Sequence, residues 1–218
     1  MTTFISRREL LRRAGLAGAV AVVAPALRSG DPPAPQAALA PAAAPLARGP
    51  LEHLTTAEAD VLDAVVARLI PSDGNGPGAL EAGATRYIDH ALGGALASSR
   101  QAYASGLAAL DQYARNARGT AFTDLPAADQ DGLLIEVATG AAPGFAGGSE
   151  AFFNLVRTHT LQGTFCDPYY GGNANFVGWD LIDYPGVRTI VAADDQRLGA
   201  DVTPNHKSAY DYEMFTKG

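Results

Sequence analysis

Residues 165–186 read FCDPYYGGNANFVGWDLIDYPG, and the interpretation of the whole chain depends on this stretch. It holds the only Cys and the only Trp of the protein, Cys166 and Trp179. Its aromatic residues are too dense for a free solvated loop. We therefore expect this stretch, called the aromatic loop below, to be held against the protein's own body or against another protein. Turn formers dominate it and favour an irregular backbone: Pro168, Gly171, Gly172, Asn173, Asn175, Gly178, Pro185 and Gly186.

Helical periodicity marks five segments before the aromatic loop. The first has a Thr N-cap within residues 54–58, one apolar face at i, i+4 and i+8, and Pro71 at its end. The others cover residues 79–92, 98–117, 124–137 and 150–162. Ser98 or Ser99 is expected to cap the third, with Gly119 as its C-cap, and Asp124 is expected to cap the fourth.

No repeat, heptad or sustained strand alternation is present in the sequence. Residues 187–192 are compatible with a short strand or a helical turn, and a polar tail covers residues 201–218. The predicted fold class is therefore all-α: an irregular bundle of about five helices with a long ordered Gly/aromatic loop near the C-terminus.

Composition indicates one globular domain, with 218 residues, 47% of them hydrophobic and 18% charged. The formal net charge of −7 argues against a nucleic-acid partner. A single Cys excludes an internal disulfide and a multi-cysteine metal centre. The four His residues are scattered, and none forms a pair with metal-ligand spacing.

The N-terminus has the pattern of an export signal. The segment 7–13, RRELLRR, carries four arginines and precedes a small apolar run over residues 14–24. Arg7 and Arg8 after Ser6 resemble the twin-arginine type. The alternative is a membrane anchor, but the run falls well short of the roughly 20 residues that span a bilayer. Cleavage is expected after Ala26 or after Ala42, which leaves an acidic, exported protein.

The predicted organisation has three parts. Residues 1–26 are the signal peptide, residues 27–50 are a linker rich in Pro and Ala, and residues 51–218 are the helical domain with its tail. Twin-arginine export carries folded cargo. A small domain without a visible cofactor motif does not need that route for itself, whereas a partner that holds a cofactor does.

Motifs of catalysis are not found in the sequence. It has no GxSxG, P-loop, GxGxxG after a strand, HExxH or CxxCH pattern, so no catalytic, cofactor or metal residue is assigned. His159 precedes Cys166 at the end of a predicted helix, and a Cys/His nucleophile pair is conceivable. A packed or surface His is the better-supported alternative, because no acid is placed to orient it.

Cys166 has three interpretations. An odd Cys in an exported protein forms a disulfide with another chain, stays buried and free, or acts in catalysis. The first two remain open and the third is disfavoured.

The aromatic loop resembles the motif of the gluconate 2-dehydrogenase subunit 3 family. Its GGN (171–173), GW (178–179) and YPG (184–186) elements are the specific part. Two further segments are similar: RLIPSD (68–73), which runs on to Gly78, and ALEAG (79–83) followed by YID (87–89). The resemblance covers residues 55–186.

The resemblance implies a non-catalytic small subunit of a membrane-linked dehydrogenase complex in the periplasm. A large subunit of the glucose–methanol–choline (GMC) type would hold FAD, and a multihaem cytochrome c would accept the electrons. The small subunit would bind the flavoprotein, assist its maturation and carry it through the twin-arginine translocase. The alternative function is a stand-alone exported helical module for binding or structure.

Within this interpretation the aromatic loop becomes a docking platform. Tyr169, Tyr170 and Trp179 would supply contact area for the partner, and Cys166 would tether it through an intermolecular disulfide. In the alternative, Trp179 and Tyr184 plug the protein's own helix bundle.

Overall fold

The structure, a computed structural model, describes residues 49–216 and contains seven α-helices and no β-strand within that range. The all-α prediction is confirmed. Two helices are added to the expected five, because short ones form in the aromatic loop and in the tail. The helices are α1 Thr56–Leu69, α2 Ala84–Ala91, α3 Arg100–Arg118, α4 Ala127–Ala138, α5 Ser149–Phe165, α6 Val177–Leu181 and α7 Glu213–Thr216. The predicted signal peptide with Arg7 and Arg8, and nearly all of the linker, lie outside the described residues.

Helix α1 begins with a capping box. The side chain of Thr55 accepts a hydrogen bond from the Glu58 N–H at 3.2 Å, and Glu58 accepts one from the Thr55 N–H at 2.8 Å. The guanidinium of Arg100 contacts the same carboxylate through two nitrogens, at 3.0 and 2.8 Å. One glutamate therefore both starts α1 and joins it to α3.

The other predicted caps differ in outcome. Gly119 ends α3 in the left-handed region as predicted, with φ +80°. Ser99 occupies the N-cap position of α3, but its side chain makes no capping bond. The prediction for Asp124 was wrong: it lies in a 3₁₀ turn, Phe122–Asp124, and Pro126 takes the N-cap position of α4.

Helix α2 starts five residues later than predicted. Residues 79–82 form turns, and Gly83 adopts φ +75°, a conformation that interrupts any helix before it. Residues 187–192 form neither a strand nor a helix, so both alternatives for that segment were wrong. At both places, contacts with the aromatic loop or the tail decide the backbone conformation.

The core lies between helices α1 to α5. Its largest fully buried side chains include Leu62, Tyr103, Leu107, Phe122 and Val156. Two glycines permit close helix contacts: a Cβ at position 106 would lie 2.1 Å from the Phe152 ring, and one at position 163 would lie 3.0 Å from the Ala84 Cα. The second contact brings α2 against the end of α5, where the aromatic loop begins.

Within residues 49–216, none of the helices combines the length and the apolar character that crossing a membrane requires.

Candidate functional site

The aromatic loop packs on the C-terminal end of α5. The backbone N–H of Asn173 donates to the Gly163 carbonyl at 2.8 Å, and the Ala174 N–H donates to Ala82 at 2.8 Å. A Cβ at position 172 would lie 2.1 Å from the same Gly163 carbonyl oxygen, so only glycine fits there. The loop is therefore pinned to the protein's own body, between α5 and the turn before α2.

Asn173 is the centre of the aromatic loop. It is fully buried, and its backbone adopts φ +44° and ψ +44°, a region in which Asn is enriched. The side-chain Nδ2 donates to the Cys166 carbonyl at 2.8 Å, while Oδ1 accepts from the Gly178 N–H at 2.8 Å and the Trp179 N–H at 3.4 Å. One side chain thus joins the start of the loop to the start of α6.

Trp179 lies in the interior, with 5% of its surface exposed. Its indole N–H donates to the Phe165 carbonyl at 3.1 Å, and its ring contacts those of Phe176 and Tyr184 at centroid distances of 5.3 and 4.8 Å. The expectation that Trp179 offers contact area to a partner is therefore corrected. Its buried, hydrogen-bonded ring positions the loop from inside, as the alternative expected for Trp179, whereas Tyr184 is exposed.

Phe176 has an unfavourable backbone conformation. Its φ is +63°, which is uncommon for a bulky side chain and costs of the order of 1–3 kcal/mol. The ring is held between Trp179 and His206, whose ring stacks on it at 5.0 Å with a 12° angle. Nε2 of His206 contacts Asp180 at 2.7 Å. Packing from the tail thus stabilises a strained point of the loop.

Asp167 fastens the tail to the start of the aromatic loop. Its Oδ1 accepts from the Tyr169 N–H at 3.0 Å and from the Ser208 hydroxyl at 2.6 Å. Its Oδ2 accepts from the Ala209 N–H at 2.8 Å. The charge of the carboxylate strengthens each of these bonds. The tail therefore closes on this domain at residues 208–209.

A second attachment lies at the end of the aromatic loop. The Val187 N–H donates to Lys207 at 3.1 Å, and the Asn205 N–H donates to Pro185 at 3.1 Å. The Tyr212 hydroxyl donates to the Val187 carbonyl at 2.8 Å. A Cβ at position 186 would lie 2.0 Å from Asn205 Oδ1, and Gly186 has φ +82°. Residues 188–204 thus form a loop, called the excursion below, whose two ends are held together by these contacts.

Three tyrosines form an exposed group, called the tyrosine cluster here: Tyr169, Tyr170 and Tyr210. Tyr169 and Tyr210 stack at a centroid distance of 3.5 Å, and the Tyr170 and Tyr210 hydroxyls lie 3.2 Å apart. Tyr169 and Tyr170 keep 62% and 48% of their surfaces exposed. The hydrogen bond with Tyr170 is the main reason that the pKa of Tyr210 rises to about 12, so the Tyr210 hydroxyl is neutral at physiological pH. It presents rigid, amphipathic contact area.

Cys166 is a free, half-buried thiol at the end of α5. Its Sγ lies 3.7 Å from the Gly163 carbonyl oxygen. Burial raises the pKa of the thiol, and a hydrogen bond from the Gly172 backbone opposes only part of that effect. A protonated thiol is a weak nucleophile, which disfavours the catalytic interpretation. The intermolecular disulfide stays a prediction.

His159 is buried in the core. Its Nδ1 lies 3.0 Å from the Tyr103 hydroxyl, and the two rings stack at 5.9 Å. Burial lowers the pKa of His159, so the ring is neutral near pH 7. This geometry matches the packed alternative for His159 rather than a Cys/His pair. Among residues 49–216, no group of three or more His, Cys, Asp or Glu side chains is arranged to hold a metal ion.

Replacing Asp167 with Asn should release the tail. An amide provides one acceptor atom instead of two and has no charge, so at least one of the three donors loses its partner. Each such loss costs about 1–3 kcal/mol. We expect amide hydrogen exchange at Ala209 and Tyr210 to become roughly 10–100 times faster, as opening of the tail becomes easier.

The matched control for that change is Asp183→Asn. Asp183 is exposed, has φ +54° and makes no side-chain hydrogen bond to another residue of the described range, and Asn tolerates that backbone. Exchange in the tail should therefore stay at the wild-type rate. Equal tail protection in both variants would mean that Asp167 does not hold the tail.

The geometry defines an all-α domain whose aromatic loop is fixed to its own body and shows a tyrosine cluster on its surface. A family model described as gluconate 2-dehydrogenase subunit 3 matches residues 56–186, more than half of the chain. The protein belongs to the gluconate 2-dehydrogenase subunit 3 family. Neither the comparison with curated proteins nor that with solved structures found a match.

Several residues of the site were missed in the sequence. Tyr210 and Ser208 lie in a tail described only as polar, and Asp167 was not among the residues expected to dock or tether a partner. Asn173 was noted only as a turn former. Its position after two glycines, in a stretch that must turn, is the signal that points to a left-handed backbone.

Proposed function

We propose that this chain is the non-catalytic small subunit of a periplasmic, membrane-linked dehydrogenase of the gluconate 2-dehydrogenase type. It binds an FAD-dependent large subunit of the GMC type, assists its maturation and carries it through the twin-arginine translocase. A multihaem cytochrome c is the third member of the proposed complex. FAD and haem c then belong to the partners. The family match over residues 56–186 carries this proposal.

The tyrosine cluster supports a role in binding a protein. Tyr169 and Tyr170 lie inside the matched range and keep much of their surfaces exposed. Tyrosine is enriched where interfaces gain most of their binding energy, because its ring offers area with little loss of side-chain entropy. The contacts with Tyr210 hold these rings in place before a partner arrives.

Exposed apolar side chains in the chain between Tyr170 and Tyr210 also support a role in binding a protein. Ile182 and Tyr184 are exposed at the end of the aromatic loop, and Ile190 and Leu198 are exposed in the excursion that follows it. Scattered apolar residues are normal on a surface, but several within one short stretch of chain are typical of interaction surfaces. The aromatic loop and the excursion are therefore the proposed contact region for the flavoprotein.

The twin-arginine pattern gives the second half of the proposal. A flavoprotein has to fold around FAD in the cytoplasm, and the twin-arginine route transports folded proteins. A large subunit without its own signal can then cross while it is bound to this chain. Arg7 and Arg8 would direct the export of both proteins.

Co-expression with a GMC-type flavoprotein that lacks its own signal tests the proposal. We expect the flavoprotein in the periplasmic fraction only when this chain is present, and in the cytoplasm when Arg7 and Arg8 are both changed to Lys. Arrival in the periplasm without this chain would rule out the escort role. A purified chain that stays monomeric and never retains the flavoprotein would favour the stand-alone module.

The cells that co-express both proteins also allow the binding of the flavoprotein to this chain to be measured. The double variant Tyr169→Ala, Tyr210→Ala should retain the flavoprotein at least tenfold less tightly, a loss of about 1.4 kcal/mol or more. Ile135→Ala is the control, since Ile135 is an exposed apolar residue on α4. Purification with and without reductant also shows whether Cys166 forms a disulfide with the partner.

A further inference from the structure

Residues 205–212, called the tail segment below, lie along the aromatic loop without entering the core. Ser208 is the only one of them that is buried. The buried core cluster of the described range ends at Val156. Segments with few buried apolar contacts are the ones that open most easily in a native protein. Surface contacts with the aromatic loop, rather than the core, therefore hold the tail segment in place.

The excursion connects the tail segment to the domain as a tether. Arg188 donates to the Thr203 carbonyl, and the Arg197 N–H donates to the Asp194 carbonyl. Within the part of the chain that the structure describes, the excursion forms hydrogen bonds only between its own residues. A chain of this length spans at most about 60 Å when it is extended. The tether is therefore long enough to bring the tail segment to another copy of the protein.

Asp167 binds the centre of the tail segment. Its carboxylate accepts from the Ser208 hydroxyl at 2.6 Å and from the Ala209 N–H at 2.8 Å. Hydrogen bonds to a charged acceptor are stronger than those between neutral groups. This contact requires a hydroxyl side chain followed by a residue with a free backbone N–H, and it excludes proline at the second position.

Two rings of the aromatic loop bind two rings of the tail segment. Tyr210 stacks on Tyr169 at a centroid distance of 3.5 Å, and its hydroxyl lies 3.2 Å from that of Tyr170. His206 stacks on Phe176 at 5.0 Å. The serine that binds the carboxylate lies midway between the two rings in the sequence of the segment. The loop therefore contacts every second residue over this part of the segment, which gives a sequence preference.

The tail segment is shaped by its own hydrogen bonds. The Ser208 hydroxyl oxygen accepts from the Tyr210 N–H at 3.0 Å, and Asp211 accepts from the Ser208 N–H at 2.8 Å. Together these bonds belong to a capping box. A ligand that folds before it binds loses less conformational entropy on binding. A separate peptide of the same sequence should therefore keep measurable affinity for the loop.

The loop surface and the tail segment belong to different parts of the chain. Residues 167–185 lie within the range that the family model matches, 56–186, whereas the tail segment lies beyond it. At the far end of the contact, the Asn205 N–H donates to the Pro185 carbonyl at 3.1 Å. The matched part of the chain therefore already contains all the loop residues of this contact named so far.

We propose that residues 167–185 form a peptide-binding site, that the tail segment is its ligand, and that a second copy of this chain supplies the same ligand by exchange. The ligand class is a segment with an aromatic ring, a serine two residues later, a residue other than proline, and then a tyrosine. Exchange between copies replaces each contact by an identical one, so it loses only the effective concentration that the tether provides. The site is independent of the flavoprotein partner.

A cut in the excursion tests the exchange. A recognition sequence for a specific protease is inserted into the full chain between Gly199 and Ala200, which are exposed, and the protein is cut there. We expect the helix content, measured by circular dichroism, to stay unchanged. A fluorescent peptide of residues 203–216 should bind the cut protein with a Kd on the order of 10–100 µM. At about 1 µM protein, well below that Kd, the cut tail leaves the site free.

Exchange between copies is measured by mixing two cut samples at high concentration, one of which carries a fluorescent tail. The label should appear on the copies that were unlabelled. Loss of helix content on cutting would show that the tail is an inseparable part of the fold and would overturn the proposal. So would the absence of peptide binding at about 1 mM, or a label that stays on its original copies.

Variants locate the contacts. Peptides with Ser208→Ala or Tyr210→Ala should bind at least tenfold more weakly, because they lack the hydroxyl donor or the stacked ring. Met214→Ala is the control peptide, since Met214 is exposed and lies outside the tail segment. In the cut protein, Asp167→Asn should weaken binding at least tenfold and Asp183→Asn should leave it unchanged. Equal affinity of all the peptides would contradict the assignment of the site.

Discussion

Asn173→Ala should lower the free energy of unfolding by about 3–5 kcal/mol. The change removes three hydrogen bonds in a fully buried position and leaves the Cys166 carbonyl and the Gly178 N–H without these partners. Each unpaired buried group costs about 1–3 kcal/mol. The left-handed backbone at φ +44° adds about 1 kcal/mol, since alanine lacks the tolerance of asparagine for it.

Asn175→Ala separates the two contributions. Asn175 also has a left-handed backbone, at φ +54°, but it is exposed and its side chain makes no hydrogen bond to another residue of the described range. It should therefore lose only the backbone part, about 1 kcal/mol. Urea unfolding followed by fluorescence of Trp179, the only Trp, measures both variants. Equal losses would show that the buried hydrogen bonds of Asn173 contribute nothing net.

Gly178→Ala should destabilise the protein by about 3 kcal/mol or more. A Cβ at this position would lie 1.8 Å from the Thr164 carbonyl oxygen and 3.1 Å from Oδ1 of Asn173. The first of these is backbone of α5, so relief requires the loop to move away from the helix. Forced overpacking typically costs about 1–3 kcal/mol, and more where backbone has to shift.

Gly132→Ala is the control with the opposite sign. Gly132 also lies within a helix, α4, but the nearest atom to an added Cβ is an Arg118 guanidinium nitrogen at 4.0 Å. Alanine should raise stability there by about 0.5–1 kcal/mol, because it restricts the unfolded chain and favours the helix. Thermal unfolding monitored by circular dichroism compares the two. A neutral Gly178→Ala would mean that the loop does not depend on close contact with α5.

The helices were predictable because their signals are local. The capping box of Thr55 and Glu58 and the left-handed Gly119 act within a few residues, and periodicity identified the buried faces. Errors arose where a neighbouring segment decides the structure. Gly83 shortens α2 at a place where the turn before the helix contacts the aromatic loop.

The candidate site was predictable only in outline. The density of aromatic residues and turn formers marked residues 165–186 as an ordered loop. Tyr169 and Tyr170 are exposed, as the proposed docking role requires. Whether Trp179 faces the interior or the solvent was not predictable, because buried and exposed positions do not alternate with a regular period in an irregular loop. Nor was the bond between Asp167 and Ser208, which joins residues far apart in the chain.

The attachment of the tail has a consequence for biosynthesis. Tyr210 enters the ribosomal tunnel 40 residues after Tyr170, so the cluster that they share cannot assemble while that part of the chain is still being made. Domains form as units during translation once their parts have emerged. A nascent or prematurely ended chain would therefore hold helices α1 to α6 yet lack the finished surface. That surface therefore assembles only after synthesis has passed residue 210.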